Sequence, residues 1–167
     1  MELFEAIKTR RSIRQYEDGF VVPFEDLKKI IEAGMYAPSA MRKMPWEFLI
    51  ITDQIMLDKI EKTHKYASFA TSAGAMIAIC VDKEKEHSGM GVIDVSLASQ
   101  NIMLAAHAMG YGTCYCGVYP ERHEEFADLL QMPPHVDLIG LIAIGKPIET
   151  KPIPERYDEL KVHINRW

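Results

Sequence analysis

Apolar residues recur at helical spacing at the start of the chain, where Leu3, Phe4 and Ile7 form a short stripe, and again at Leu27, Ile30 and Ile31. Pro23 stands just ahead of the second stripe, and proline is favoured at a helix opening because its fixed φ suits the first turn and no intrahelical donor is lost there. Both helices run into basic segments. Trp46 to Thr52 is an apolar run of strand length, and Asp53 behind it is placed to cap a helix carrying Met56, Leu57 and Ile60. Ala75 to Val81 reads as a second strand. Val92 to Met109 is the longest helical candidate and is apolar almost all round, with Ser96, Ala98, Ser99, Ala105 and Ala106 small enough for close backbone approach. Such a helix belongs in a core or at a dimer interface. Thr113 to Val118 reads as a third strand, Glu121 to Leu130 as a helix, and Val136 to Ile144 as a fourth strand ending at Gly145-Lys146-Pro147. The tail from Ile148 to Trp167, interrupted by prolines, reads as an arm lying over another surface. Strand and helix alternation alone favours a parallel α/β sheet.

The 167 residues, 48% hydrophobic and 26% charged, suit one globular domain spanning residues 1–167, with no internal repeat or low-complexity tract. Charges among the apolar positions of Met1 to Arg14 point away from a signal-peptide core, and no apolar run approaches the ~18 residues of a membrane span. A cytoplasmic protein without membrane contact is expected. Three cysteines, Cys80, Cys114 and Cys116, make no disulfide framework and no Cys-x-x-Cys pair, so a structural metal is not expected. Alternation along a strand places Cys114 and Cys116 on one face, as packing or as a redox pair, with packing the favoured reading.

Nineteen basic against twenty-four acidic residues give a net charge of −5, which disfavours a nucleic-acid surface. Two windows run against that average. Between Glu5 and Glu17 no acid occurs, yet Lys8, Arg10, Arg11 and Arg14 do; between Glu32 and Glu47 the only charges are Arg42 and Lys43, in a loop of prolines and small residues. Guanidinium forks beside Ser12 and Ser39 suit phosphate oxygens, so the two basic loops are candidates for one anion site. Neither nucleotide-binding glycine signature is present, because Gly89-Met90-Gly91 lacks a third glycine and no Gly-Lys-Ser/Thr occurs. No histidine pair has metal spacing and no Gly-x-Ser-x-Gly elbow exists; the histidines read as surface or satisfied ones.

The order of five motifs goes further. Arg10-Arg11-Ser12-Ile13-Arg14 after the first helix, Ala37-Pro38-Ser39 before Pro45-Trp46, Met109-Gly110-Tyr111-Gly112-Thr113-Cys114 after the long helix, Ile144-Gly145-Lys146-Pro147, and a closing Asn165-Arg166-Trp167 together resemble the nitroreductase family of flavoproteins over the whole chain. The resemblance implies an α+β, three-layer fold in which a mixed, largely antiparallel central sheet is flanked by helices, replacing the parallel sheet. It implies an intertwined homodimer with FMN at the subunit interface, and NADH or NADPH as electron donor. By the family pattern Arg10 and Arg11 approach the FMN phosphate and ribityl chain, Ser12 hydrogen-bonds nearby, and Arg14 lies at the pyrimidine edge. Pro38, Ser39 and Ala40 come from the other subunit. Cys114, Tyr115, Cys116 and Gly117 match the strand along the flavin, with the Gly117 amide able to reach N5, and Arg156 matches a late phosphate-binding basic residue. No catalytic acid, base or nucleophile is required, because the flavin performs the hydride chemistry.

The implied activity is transfer of electrons from NAD(P)H to nitroaromatic, quinone or similar small acceptors by a ping-pong mechanism. Arg42 and Met44 stand where the family usually has Asn and Gln, which places a cation near the implied flavin and removes a polar contact. That departure motivates the alternative of a non-catalytic flavin-binding or interaction protein of the same fold. A weaker third reading is an anion-binding module that uses Arg10, Arg11 and Arg14 without flavin. The chain also lacks the long insertions that form lids in some members, which implies an open substrate pocket.

Overall fold

The computed structural model describes residues 1–167. Its helices are α1 (Leu3–Thr9), α2 (Phe24–Met35), α3 (Gln54–Thr63), α4 (Gly91–Ala108) and α5 (His123–Leu130); its strands are β1 (Trp46–Ile51), β2 (Ala75–Asp82), β3 (Gly112–Gly117) and β4 (Val136–Gly145). Each lies close to where the periodicity predicts it. Pro23 sits at the N-cap of α2, the Asp53 carboxylate accepts from the Met56 amide 2.9 Å away as the cap of α3, and α5 starts two residues late because Pro120–Arg122 forms a single 3₁₀ turn.

The four strands lie in the order β1-β2-β4-β3 and every neighbouring pair is antiparallel. The parallel sheet that alternation suggests is therefore overturned, and the fold is the α+β one. Alternation shows only that a helix intervenes, not at which end of the sheet the chain re-enters. After α3 the segment 64–74 packs back into the core through Ala67, Phe69, Ala70 and Ala73, so β2 runs opposite to β1. The parallel pairing in the chain is the isolated bridge between Ser12 and Thr113.

Each face of the sheet carries its own core. On one face Leu27, Ile30 and Ile31 of α2 and Val95, Ala98, Ile102 and Ala106 of α4 meet Ile77, Ile79 and Ile142. On the other, Leu57 and Ile60 of α3 and Phe126 of α5 cover Met76, Ala78, Cys114, Cys116 and Leu141. Leu138 and Leu141 share this second face although three residues apart, which strict alternation forbids. The pairing resolves it: Ile79 opposes Gly140 but Cys80 opposes Leu138, so β4 carries one extra residue, a β-bulge that resets its parity. Next to the bulge the Tyr115 ring lies over Gly140, where a Cβ would sit 2.5 Å from its Cζ. Close packing of α2 on α4 rests on Gly34 in the same way, since a Cβ there would lie 2.7 Å from Ile102 Cγ1.

Much apolar surface finds no cover within the chain. Of α1 only Ala6 is buried; Leu3, Phe4 and Ile7, the predicted stripe, are exposed. Val92, Ile93 and Leu97 of α4 face outward, and beyond Pro152 the tail holds Ile153, Tyr157, Leu160, Ile164 and Trp167 in solvent. Exposed apolar area of this extent marks an interaction surface. No helix is long and apolar enough to cross a membrane.

The Gly140→Ala substitution should lower the midpoint of thermal unfolding by several degrees, because driving a methyl into the Tyr115 ring costs about 1–3 kcal/mol; differential scanning fluorimetry of the cofactor-free protein measures it.

Candidate functional site

The outer edge of β3 borders an open cleft. In an antiparallel strand the N–H and C=O of one residue point to the same side, and successive residues alternate. The Val118 amide donates to the Ile139 carbonyl at 2.9–3.0 Å geometry typical of a ladder bond, here 3.0 Å, so residues of that parity face β4. Tyr115 and Gly117 therefore face away from it. Thr113, of the outward parity, confirms the assignment: its carbonyl accepts from the Ile13 amide at 2.9 Å. At the other end the Gly117 carbonyl lies 3.1 Å from His64 Nε2. Between these two closures the Tyr115 and Gly117 amides are directed at an open cleft of about 470 Å³ whose walls include Arg14, Lys65, Tyr66 and Phe69 and no carboxylate.

Gly117 has an ordinary negative φ, and a Cβ built on it would meet nothing closer than Tyr115 Cε1 at 3.8 Å. This chain's own packing does not demand glycine there. A glycine at an open edge leaves bare backbone for a flat ligand to approach.

The early arginines gather at one end of this edge. Burial, then the charges of Arg156 and Arg11, hold the Arg10 guanidinium below its ordinary range, so Arg10 and Arg156 are neighbours in space. Arg10, Arg11, Arg14 and Arg156 form no ion pair with any carboxylate of the chain. The His107 ring, 2.8 Å from Thr9 Oγ1, is pushed down by burial and by the charges of Arg10 and Arg11. Positive charge thus accumulates with no carboxylate ion-paired to these arginines; Glu149 nearby is bound to main-chain amides and Lys151 instead.

Arg11 is placed differently from Arg10. Its Nε donates to Pro152 O at 3.0 Å and its Nη1 to the carbonyls of Lys8 and Arg10 at 2.9 and 2.7 Å. The side chain fastens the start of the tail and turns inward. Other tail residues fix the main chain of the basic segment: Glu149 Oε1 accepts from the Arg14 and Gln15 amides at 2.5 and 3.2 Å, and Lys151 Nζ donates to Ser12 O at 2.6 Å. Burial works against the Glu149 charge, but the Arg14 amide and the Lys151 ammonium hold its carboxyl below the usual range. These tail contacts escape the sequence, which shows no pairing signal across more than 130 positions.

Cys114 and Cys116 lie side by side, facing the core. The closeness of the two sulfurs, against the opposing effect of burial and with Arg14, Lys151 and Arg10 assisting, lowers Cys114 and raises Cys116 from the usual thiol range. Two residues apart on a strand, their Cα atoms are about 6.8 Å apart, at the upper limit for a disulfide without backbone movement. The packing reading suits this geometry.

The second basic loop lies elsewhere. Ser39 Oγ accepts from the Met44 amide at 2.9 Å, and Asp94 Oδ1, in the first turn of α4, accepts from the Ala40 amide at 2.9 Å. Met41, Arg42 and Met44 all adopt positive φ, at 49°, 56° and 47°, and Arg42 is exposed. His107 lies near the opposite end of α4, roughly 20 Å along the axis from Asp94 at about 1.5 Å per residue. The loop leads into β1, the sheet edge opposite β3. The structure therefore brings Arg10, Ser12, Arg14, Arg156 and the 114–117 strand into one region and leaves Pro38, Ser39, Ala40 and Arg42 outside it. It also adds His64, Lys65 and Tyr66, which sequence spacing does not single out.

The sequence matches the Nitroreductase family over residues 7–63 and 57–146. It is 41% identical over 170 residues to a Methanothermobacter thermautotrophicus protein described as a candidate NADH dehydrogenase/NAD(P)H nitroreductase, covering 100% of this chain and 88% of that one. A Parabacteroides distasonis protein of the same description superposes with a TM-score of 0.94 at 35% identity, covering 99% and 98% of the two chains. An FMN-dependent nitroreductase from Clostridium difficile R20291 superposes with a TM-score of 0.91 at 31% identity, covering 98% and 99%.

All three thiols are buried. Ellman's reagent should accordingly titrate none of them quickly in the native protein and all three after denaturation, and treatment with diamide should leave the mass of the chain unchanged.

Proposed function

Because the chain belongs to the nitroreductase family of NAD(P)H-dependent flavin oxidoreductases, we propose that it binds FMN along the open edge of β3 and passes electrons from NADH or NADPH to nitroaromatic, quinone or similar small acceptors in a ping-pong cycle. The observation that carries this reading is the pair of outward amides at Tyr115 and Gly117, walled by Arg14 and free of carboxylates, with the Arg10 and Arg156 guanidinium groups close by. The residues fit the group: an unpaired cation cluster suits a phosphate dianion, free backbone donors suit the heteroatom edge of a flavin, and the bare Gly117 admits a planar ring.

When bound, the flavin supplies hydride acceptance and donation itself. The chain supplies position and charge. Arg10 and Arg156 hold the phosphate and Ser12 lies beside them. Arg14, in the cleft wall, stabilises the negative charge that reduction places on the pyrimidine side, which favours the reduced form. The backbone of Cys114, Tyr115, Cys116 and Gly117 orients the ring plane, and the Gly117 amide donates toward N5. Arg11 supports the phosphate side through its grip on the tail. Neither a general acid nor a nucleophile enters these roles, because the flavin carries the hydride chemistry.

Pro38, Ser39, Ala40 and Arg42 complete the site in a homodimer, from a second copy. Their distance from Arg14 within one chain supports this, as do the uncovered apolar side chains of α1, α4 and the tail. Arg42 then adds a positive charge that raises the flavin potential and favours anionic or strongly electron-withdrawing acceptors.

The deciding experiment is an absorbance spectrum with a mass measurement in solution. A yellow dimer whose visible band bleaches anaerobically with NADH or NADPH is expected; protein that stays colourless after incubation with FMN overturns the reading, and FMN that binds but is not bleached leaves the non-catalytic alternative. Arg10→Ala should weaken FMN binding by roughly 10- to 100-fold, the loss of one charge-assisted hydrogen bond of about 1.5–3 kcal/mol, and lower the thermal midpoint only when FMN is present. Gly117→Ala should leave the cofactor-free midpoint unchanged while weakening FMN, as isothermal titration will show. Arg42→Asn should shift the flavin potential downward in a dye-equilibration titration.

A further inference from the structure

The structure singles out His64, outside every motif discussed above. It terminates α3, donates its amide to Ile60 O at 2.7 Å, and is buried to 6% exposure. Its ring lies 5.8 Å from that of Phe126 and 6.4 Å from that of Tyr66, centroid to centroid, so its orientation is set by packing on both sides. Both ring nitrogens are engaged. The Tyr66 amide lies 3.2 Å from Nδ1, and an amide N–H can only donate, so Nδ1 is the acceptor and carries no proton. The proton of the neutral ring then sits on Nε2, and Nε2 donates to the Gly117 carbonyl at 3.1 Å. The same turn is tied to β3 a second time, through the Cys116 thiol to Tyr66 O at 3.9 Å.

Gly117 is the last residue of β3, exposed and without a side chain, and its neighbour Val118 is held by β4. Such a residue has the widest freedom of any to rotate. The Gly117 carbonyl shares its peptide plane with the Val118 amide, so Ile139 holds that plane from the β4 side and His64 from the outer side, and together they limit the rotation of Gly117 between its two flanking peptides. Ordinary alternatives for His64 fail on the same observations. A proton shuttle needs a free nitrogen facing solvent or substrate, and a metal ligand needs an open lone pair; this ring offers neither.

We propose that His64 is a positioning residue, a neutral Nε2–H imidazole that holds the Gly117–Val118 peptide and so limits the rotation of Gly117 that would turn its amide away from flavin N5. The proposal rests on the flavin reading above. His64 does not touch the cofactor; it acts through Gly117.

The test uses holoprotein reconstituted with FMN labelled with ¹⁵N at N5. In the His64→Leu variant the N5 resonance should move toward that of flavin lacking a hydrogen bond at N5. Anaerobic reduction by the nicotinamide donor should slow about tenfold while FMN affinity changes less than threefold. His64→Gln, whose amide NH₂ can still donate to Gly117 O, should restore both the resonance and the rate to within threefold of wild type. Wild-type His64 ¹⁵N shifts should report a neutral, Nε2-protonated ring. An unchanged N5 resonance in His64→Leu, or a wild-type ring protonated on Nδ1, overturns the proposal. Loss of cofactor-free stability in step with the N5 change and without rescue by Gln reduces His64 to a core residue and overturns it too. If His64→Leu does not fold, the Gln variant and the wild-type tautomer decide. Wild-type protein that takes up no FMN while its His64 ring is Nε2-protonated removes the flavin reading and the proposal with it.

Discussion

An edge strand presents unpaired backbone donors and acceptors, and a fold must cover them, bend them away or use them. β3 is closed at Thr113 by the incoming segment 12–13 and at Gly117 by His64, with the stretch between left open toward a cleft. That stretch costs little while water solvates it. A ligand that accepts from the Tyr115 and Gly117 amides meets donors held by β4 and, at the Gly117 end, by the His64 bond, so little ordering entropy remains to be lost on binding.

The electrostatics follow from the same geometry. Surface lysines of this acidic chain find carboxylates, as Lys28 does Glu25 and Lys83 does Asp137, whereas the arginines around β3 do not. Their backbone is held by groups that do not neutralise them: amides on Glu149, the Ser12 carbonyl on Lys151, carbonyls around Arg11. Burial first, and then repulsion from Arg156 and Arg11, hold the Arg10 guanidinium below its ordinary range. Binding an anion relieves that repulsion, and cations preorganised in this way need not rearrange as negative charge develops.

Helix α4 separates the two basic loops. Its first turn holds the 38–44 loop through Asp94, and its last turn lies beside Arg10 through His107. The inner side of the helix is occupied by α2 and the sheet, with Gly34 allowing the close approach to Ile102. Its outer apolar residues, with α1 and the tail, are surface that one copy of the chain does not bury. The proposed homodimer answers both facts at once, since a second copy covers that surface and supplies the missing loop.

Periodicity located every α-helix and strand because amphipathic spacing and caps such as Asp53 are local, and the acid-free windows around Arg10 and Arg42 stood out because charge depletion is visible in one dimension, whereas the distance between the two loops within one chain is not. The motif order carried the fold class correctly where alternation did not. Strand order, the bulge on β4 and the inward turn of Arg11 lay beyond reach, as did the engagement of Gly117 by His64 and of Ser12 by Lys151. Each depends on which segments become neighbours across 50 to 140 residues of chain, and side chains of ordinary type make those contacts. Local physics writes itself into the spacing of residues; long-range pairing is decided only when the two cores close on either face of the sheet and fix what its free edge confronts.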